Sequence, residues 1–352
     1  MYKEISNKTK ETLKKQQWAK SLSLYTVMQL IKNNPTSPLL KSYMNTCDCA
    51  RLKIWTQDET TEEMKMKSTY CKNRWCYVCN RIRTAININH YLPQISQMGM
   101  PFFVTLTLPT CTAEELPERI KYFEATWRKI YNRSHEKRVK EINEKDIRLN
   151  GVRSMECTLR PDGMYHFHMH LIVDGWTNAD WLVRQWLKLN PQASILGQDI
   201  TKIYVAKDFQ PATKGSLMEV FKYALKMSIK KEEMTPEVFQ RMDIVFQAFK
   251  GKRLLSAFGN VKALRLDEKS EDDMMDLISQ ADEEMILRLG NETSIWKWDK
   301  DSYDWVNHAT GEMLIGEKLP ERVHKIVKDM EGVPAPPNKL KDILAWAHEQ
   351  NI

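Results

Sequence analysis

Between residues 166 and 170 polar and apolar side chains alternate, within the longer run Tyr165-His166-Phe167-His168-Met169-His170-Leu171-Ile172-Val173. A period of two predicts a strand, and it sends His166, His168 and His170 to one side and Phe167, Met169 and Leu171 to the other. Just upstream, Pro161-Asp162-Gly163 has the residue types of a tight turn, and residues 152–159 form a second run with strand composition. The two runs predict a hairpin. If Arg160 and Met164 close it, Glu156 falls opposite His168 and on the same face.

Elsewhere the pattern lengthens to helical spacing. Residues 4–32 read as one or two amphipathic helices ending at Asn33-Asn34-Pro35. From residue 102 the predicted order is strand 102–108, helix 113–139, strands 152–159 and 165–173, helix 178–189, strand 200–206 and helix 216–229. This β-α-β-β-α-β-α succession predicts an α+β fold, an antiparallel sheet with helices on one face. Beyond residue 266 the composition shifts. An acidic amphipathic helix over 271–289, a tryptophan-rich meander over 295–315 and a linker with Pro334, Pro336 and Pro337 precede a short final helix. Three regions are expected: 1–99, helical and cysteine-rich; 100–265, the sheet; 266–352, a small acidic module.

At 352 residues the chain can bury one good core and a second small module. Its net charge of +7 conceals an asymmetry, because residues 266–352 hold 10 Lys and Arg against 20 Asp and Glu, a balance of −10, which leaves +17 on the rest. A basic body fits a nucleic-acid partner, whose phosphates release counterions when lysine and arginine bind them. No run approaches the roughly 18 to 20 apolar residues of a membrane span, and the charged start Met1-Tyr2-Lys3-Glu4 is unlike a signal peptide, so a cytoplasmic location with no membrane partner is expected.

Five of the 7 cysteines cluster, at Cys47, Cys49, Cys71, Cys76 and Cys79. In a reducing compartment clustering points to metal more than to disulfides. Cys71, Cys76 and Cys79, with Cys47 or Cys49 as the fourth ligand, would make a tetrahedral structural Zn²⁺ site, although intervals of four and two residues are not the usual paired spacing. Buried thiols without a metal are the alternative. Arg74, Arg81 and Arg83 flank this block and would contact phosphate if it binds DNA.

The strand histidines and Glu156 are a donor set for a divalent ion, with His166 either a ligand or a group that orients one. Downstream, Glu219, Tyr223 and Lys226 fall on one face of the 216–229 helix. A tyrosine, with a pKa near 10, is a poor nucleophile until its proton is removed and the charge developing on phosphorus is neutralised. A metal and a nearby ammonium supply that neutralisation, so the combination suits phosphoryl transfer from a phosphodiester to tyrosine.

The His168-Met169-His170 strand, the upstream run Phe102-Phe103-Val104-Thr105-Leu106-Thr107-Leu108-Pro109 and the Lys222-Tyr223 helix resemble the HUH endonuclease superfamily. More narrowly, they resemble the replication initiators of small rolling-circle plasmids, chiefly of Gram-positive bacteria. The Cys71 to Cys79 block and the segment from Gly251 to Gly259 resemble further blocks of that family, so the likeness spans roughly residues 45 to 265 in order. It implies Mg²⁺ or Mn²⁺ on His168, His170 and Glu156, and Tyr223 as a nicking nucleophile that forms a 5′-phosphotyrosine link. It also implies Glu219 as the group that activates water at termination, with Lys226 as the matching lysine. Origin DNA, double- and single-stranded, and a host helicase, polymerase and single-strand-binding protein are the implied partners, and a homo-oligomer is left open. Many relatives have proline where this chain has Tyr77, and its tail is long for the family. A transposase or mobilisation relaxase of the same superfamily shares the nick, and a non-catalytic zinc-containing DNA-binding repressor is an alternative of a different class.

Overall fold

A computed structural model describes residues 7–57, 64–135, 147–203, 234–263, 294–307 and 309–328. In chain order the elements are α1 (Asn7–Asn33), α2 (Leu40–Cys47), β1 (Leu52–Gln57), β2 (Met64–Ser68), α3 (Tyr77–Ile95), β3 (Pro101–Thr107), α4 (Leu116–Arg133), β4 (Gly151–Leu159), β5 (Tyr165–Asp174), α5 (Trp176–Leu189), β6 (Asp199–Lys202), α6 (Pro236–Phe249), β7 (Leu255–Phe258), β8 (Ser294–Asp299), β9 (Asp304–Asn307) and α7 (Glu321–Val327). The fold is mixed α+β with two antiparallel sheets. The expected β-α-β-β-α-β succession is present from β3 to β6, while the 216–229 and 271–289 helices lie outside the described residues. No described helix is long and apolar enough to cross a membrane.

The described elements fall into two compact units. One contains the sheet ordered β6-β3-β5-β4-β7. Its β4–β5 hairpin has the predicted register: Arg160 N–H donates to the Met164 carbonyl at 2.9 Å, and Glu156 pairs with His168. Gly163 at φ +85° takes the left-handed position of the turn, where a Cβ would be strained. The odd positions of β5 face helices. Phe167 meets Phe123 of α4 edge-on at 4.6 Å between ring centres, Phe123 packs on Trp186 of α5 at 4.8 Å, and Phe249 of α6 lies 6.0 Å from Phe167. Burying a side chain of this size stabilises by about 1.5–3 kcal/mol.

The opposite face is divided along its length. At one end Phe103, Val152, Ile172, Leu255 and Ala257 carry the helix α3 through Ile88, Tyr91, Leu92 and Ile95. Helices therefore cover parts of both faces, where the sequence pattern predicted one. The helix α3 is not legible in the pattern, because its polar positions and internal Pro93 break up its apolar stripe. At the other end the same face turns polar, with Thr105, Ser154, Glu156, His166, His168 and His170 at paired positions.

The second unit is built from distant parts of the chain. Its sheet runs β2-β1-β8-β9, so the tryptophan-rich hairpin pairs with the N-terminal β1, Lys53 opposite Trp296. The boundaries expected at residues 99 and 265 are thus not those of the compact units. Trp305 is fully buried, its indole N–H donating to the Ala50 carbonyl at 2.8 Å, with the buried Lys53 ammonium 4.8 Å above its ring. A two-stranded hairpin is marginal alone, and β1 supplies the third strand that makes burying those indoles favourable.

Candidate metal centre

Adjacent antiparallel strands put paired residues on one face, so the β4–β5 register alone delivers Glu156 beside His168, and β5's own period adds His170. The carboxylate Oε2 of Glu156 lies 3.6 Å from His168 Nε2 and 3.4 Å from His170 Nε2. One donor atom from each of the three falls within 4.8 Å of the others. Glu156 and His168 are buried and His170 is half-buried.

The two imidazoles are held from behind. His168 Nδ1 lies 3.2 Å from the His166 carbonyl, which can only accept, so Nδ1 carries a proton and Nε2 is the ring nitrogen that faces Glu156. His170 Nδ1 lies 3.1 Å from the Thr105 hydroxyl of β3, and its ring stacks on Phe103 at 5.1 Å. Such partners behind the ring are what fix the orientation of a metal-ligating histidine. Burial would raise the pKa of Glu156, but hydrogen bonds and charge from His168 and His170 outweigh it and bring it down to about 2. A carboxylate that stays ionised and two imidazoles whose Nε2 atoms face it form a mixed N/O donor set for a divalent cation.

His166 shares the face without joining the three. Its ring stacks 5.3 Å from that of His168, and burial, then the charges of His168 and Arg160, lower its pKa. Its backbone carbonyl is what serves the centre. In the sequence Thr105 and Phe103 stand only as members of the 102–109 run, part of the β3 strand that pairs with β5. The signal was there in the register: Thr105 sits directly opposite His170.

Among the cysteines, Cys49, Cys71, Cys76 and Cys79 bring one sulfur each within 4.8 Å of the others, and Cys47 is not among them. Of the three arginines expected at phosphate, Arg81 is exposed, Arg74 is half-buried, and Arg83 is buried at 7% exposure, so its guanidinium is not offered to a ligand from the surface. Glu219, Tyr223 and Lys226 lie outside the described residues.

Comparison with known proteins supplies the family. A model of the family described as "Replication protein" matches residues 63–305. That span holds three of the four clustered cysteines, the whole β4–β5 hairpin and the β8–β9 strands up to Trp305. The chain is similar to a protein named "Protein rep" from Lentilactobacillus hilgardii, 22% identical over 275 residues, covering 73% of this chain and 85% of the relative. It is also similar to a "Protein rep" from Staphylococcus aureus, 30% identical over 194 residues, covering 51% of this chain and 80% of the relative. No solved structure matches significantly. With more than half its length matched by the family model, and the Glu156, His168 and His170 face within that match, this chain belongs to the replication protein family.

Proposed function

We propose that the chain initiates rolling-circle replication of a plasmid by nicking one strand of the origin, with Tyr223 as the nucleophile. The observation that carries this reading is the convergence of Glu156, His168 and His170 on one sheet face, with both Nε2 atoms turned inward. Mg²⁺ or Mn²⁺ held by these three residues would supply Lewis-acid polarisation of the scissile phosphodiester. The chain's own residues do the rest. The Tyr223 oxygen forms a bond to phosphorus as the bond to the 3′ oxygen breaks, the phenolic proton passes to a base, and the 3′ oxygen takes up a proton. One phosphodiester is exchanged for another, so no external energy source is consumed, and the free 3′-hydroxyl can prime a host polymerase.

Lys226, three residues after Tyr223, offsets the charge developing on phosphorus. Glu219, four residues before it, acts as general base for the water that cuts the regenerated origin, which a single-tyrosine enzyme needs to end a round without a second covalent link. The +17 balance of residues 1–265 supports an electrostatic hold on double- and single-stranded origin DNA. A host helicase and single-strand-binding protein are the expected partners in unwinding.

The test is a covalent-adduct assay on labelled single-stranded origin DNA with Mn²⁺. The full chain should form an adduct, and Tyr223→Phe should bind the DNA but form none. An adduct that persists in the variant and maps to another residue refutes the assignment of Tyr223. No adduct from any origin sequence, with DNA binding intact, would favour the non-catalytic repressor.

A further inference from the structure

Four sulfurs meet in the unit that contains α1 and the β1 sheet. Cys49 Sγ lies 3.5 Å from both Cys79 Sγ and Cys76 Sγ, and Cys71 Sγ lies 3.7 Å from Cys79 Sγ. A tetrahedron of sulfurs about Zn²⁺, with bonds of about 2.3 Å, has edges of about 3.8 Å. The observed separations are close to that edge and far longer than a disulfide bond of about 2.05 Å.

The backbone bends around the same sulfurs. Ala50, directly after Cys49, has φ +52°, and Lys72, directly after Cys71, has φ +62°; these are two of the three described non-glycine residues in the left-handed region. Such conformations are strained and persist where the surroundings over-determine them. The amide of Cys71 points at Cys49 Sγ at 3.5 Å, and that of Cys79 at Cys76 Sγ at 3.5 Å. Amide donors of this kind stabilise thiolate in preference to thiol.

An independent observation comes from α1. Lys20 is wholly buried, and its ammonium donates to the Cys47 carbonyl at 2.7 Å. Among the described residues no carboxylate pairs with it. Burial pushes its pKa down, and the neighbouring Cys49, Cys47, Cys76 and Cys71 act in the opposite direction. A buried ammonium without a counter-charge is costly. Four neutral thiols offer none, whereas four thiolates around a divalent ion carry a net charge of −2.

We infer that Cys49, Cys71, Cys76 and Cys79 form a four-thiolate Zn²⁺ centre, and that Lys20, held on the Cys47 carbonyl, is the positioning residue that compensates its negative charge. This replaces the open choice between Cys47 and Cys49: Cys47 Sγ turns back to the Tyr43 carbonyl of its own helix, at 3.8 Å. The centre pins the turn after α2, the 71–76 loop and the first turn of α3 to α1, which reaches it also through Ser23, whose hydroxyl lies 3.6 Å from Cys76 Sγ and accepts from the Tyr77 amide at 2.9 Å. It is separate from the proposed nicking chemistry, which uses no sulfur.

The test loads the full chain with Co²⁺ as a probe for Zn²⁺. Sulfur-to-cobalt charge-transfer bands of four-thiolate intensity, one equivalent per chain, are expected, and the histidine centre cannot produce them because it has no sulfur. Cys47→Ser should keep the full spectrum, and Cys49→Ser should lose about a quarter of the charge-transfer intensity, one ligand in four. Lys20→Met, which keeps the packed stem, should weaken Zn²⁺ binding about 10- to 100-fold in competition with a chelator. The metal-free Lys20→Met chain should be at least as stable as the metal-free parent. Absence of charge-transfer bands overturns the centre, and so does loss of the spectrum in Cys47→Ser with retention in Cys49→Ser. Unchanged Zn²⁺ affinity in Lys20→Met overturns the role of Lys20.

Discussion

The hydroxyl of Thr105 is expected to set the metal affinity of the histidine centre without touching the metal. Thr105→Val keeps the shape of the side chain and removes only the hydrogen bond to His170 Nδ1, 3.1 Å long in the structure. The loss of such a partner costs about 10- to 100-fold in metal affinity. The lower end applies here, because the His170 ring keeps two other supports: the stack on Phe103 at 5.1 Å and an edge-on contact with His168 at 4.6 Å. What is lost is the choice of tautomer and the last degrees of ring rotation. We therefore expect Mn²⁺ affinity about tenfold weaker by calorimetric titration, or about 1.4 kcal/mol. Global stability should fall by only about 0.5–1.5 kcal/mol, the net worth of one neutral hydrogen bond. Nicking should recover at saturating Mn²⁺, since the donor set is intact, and Thr105→Ser should bind Mn²⁺ like the parent. The reasoning fails if Thr105→Val stays within about twofold of the parent, or if Thr105→Ser falls as far as Thr105→Val.

Glu156→Gln should alter the acid limb of stability in the chain freed of Mg²⁺ and Mn²⁺. Lowering the carboxyl from 4.5 to about 2 corresponds to about 3 kcal/mol that is present above 4.5 and lost as pH falls toward 2, so the difference in unfolding free energy between parent and variant should shrink by that amount across the window; parallel denaturation curves would refute it. A Cβ at Gly151 would sit 1.8 Å from the Ile172 carbonyl oxygen, a clash with the backbone of β5 that only a shift of the strand can relieve. Gly151→Ala should therefore cost about 3 kcal/mol or more, read as a melting temperature about 6–12 °C lower, and an unchanged melting temperature would show that β4 can move freely. Truncation after residue 265 removes β8, β9 and the buried Trp305, uncovering Lys53 and leaving β1 with one partner strand. Limited proteolysis should then cut within β1 and β2; a resistant 1–265 fragment would mean the hairpin is dispensable.

The sequence by itself determined the β4–β5 hairpin, its register and the donor face. A strand's period is two, and a turn of the Pro161-Asp162-Gly163 type fixes which residues close it, so Glu156 opposite His168 follows from local rules. It also determined that the cysteines would gather, since their clustering along the chain is itself local. Tertiary structure alone decided which four gather. Cys47 and Cys49 are two residues apart, and the choice between them is made by where α2 ends: Cys47 closes the helix and turns back to Tyr43, while Cys49 lies in the turn beyond. The pairing of β1 with β8, some 240 positions later, likewise leaves no local trace, because each strand reads the same whatever its partner. Nor could spacing assign a wholly buried Lys20 to the sulfur cluster, since a lysine on an amphipathic helix is solvent-facing by default. Period and turn chemistry act over a few residues and are written in the sequence; long-range pairing and the balance of buried charge depend on the whole chain, and appear only when it is folded.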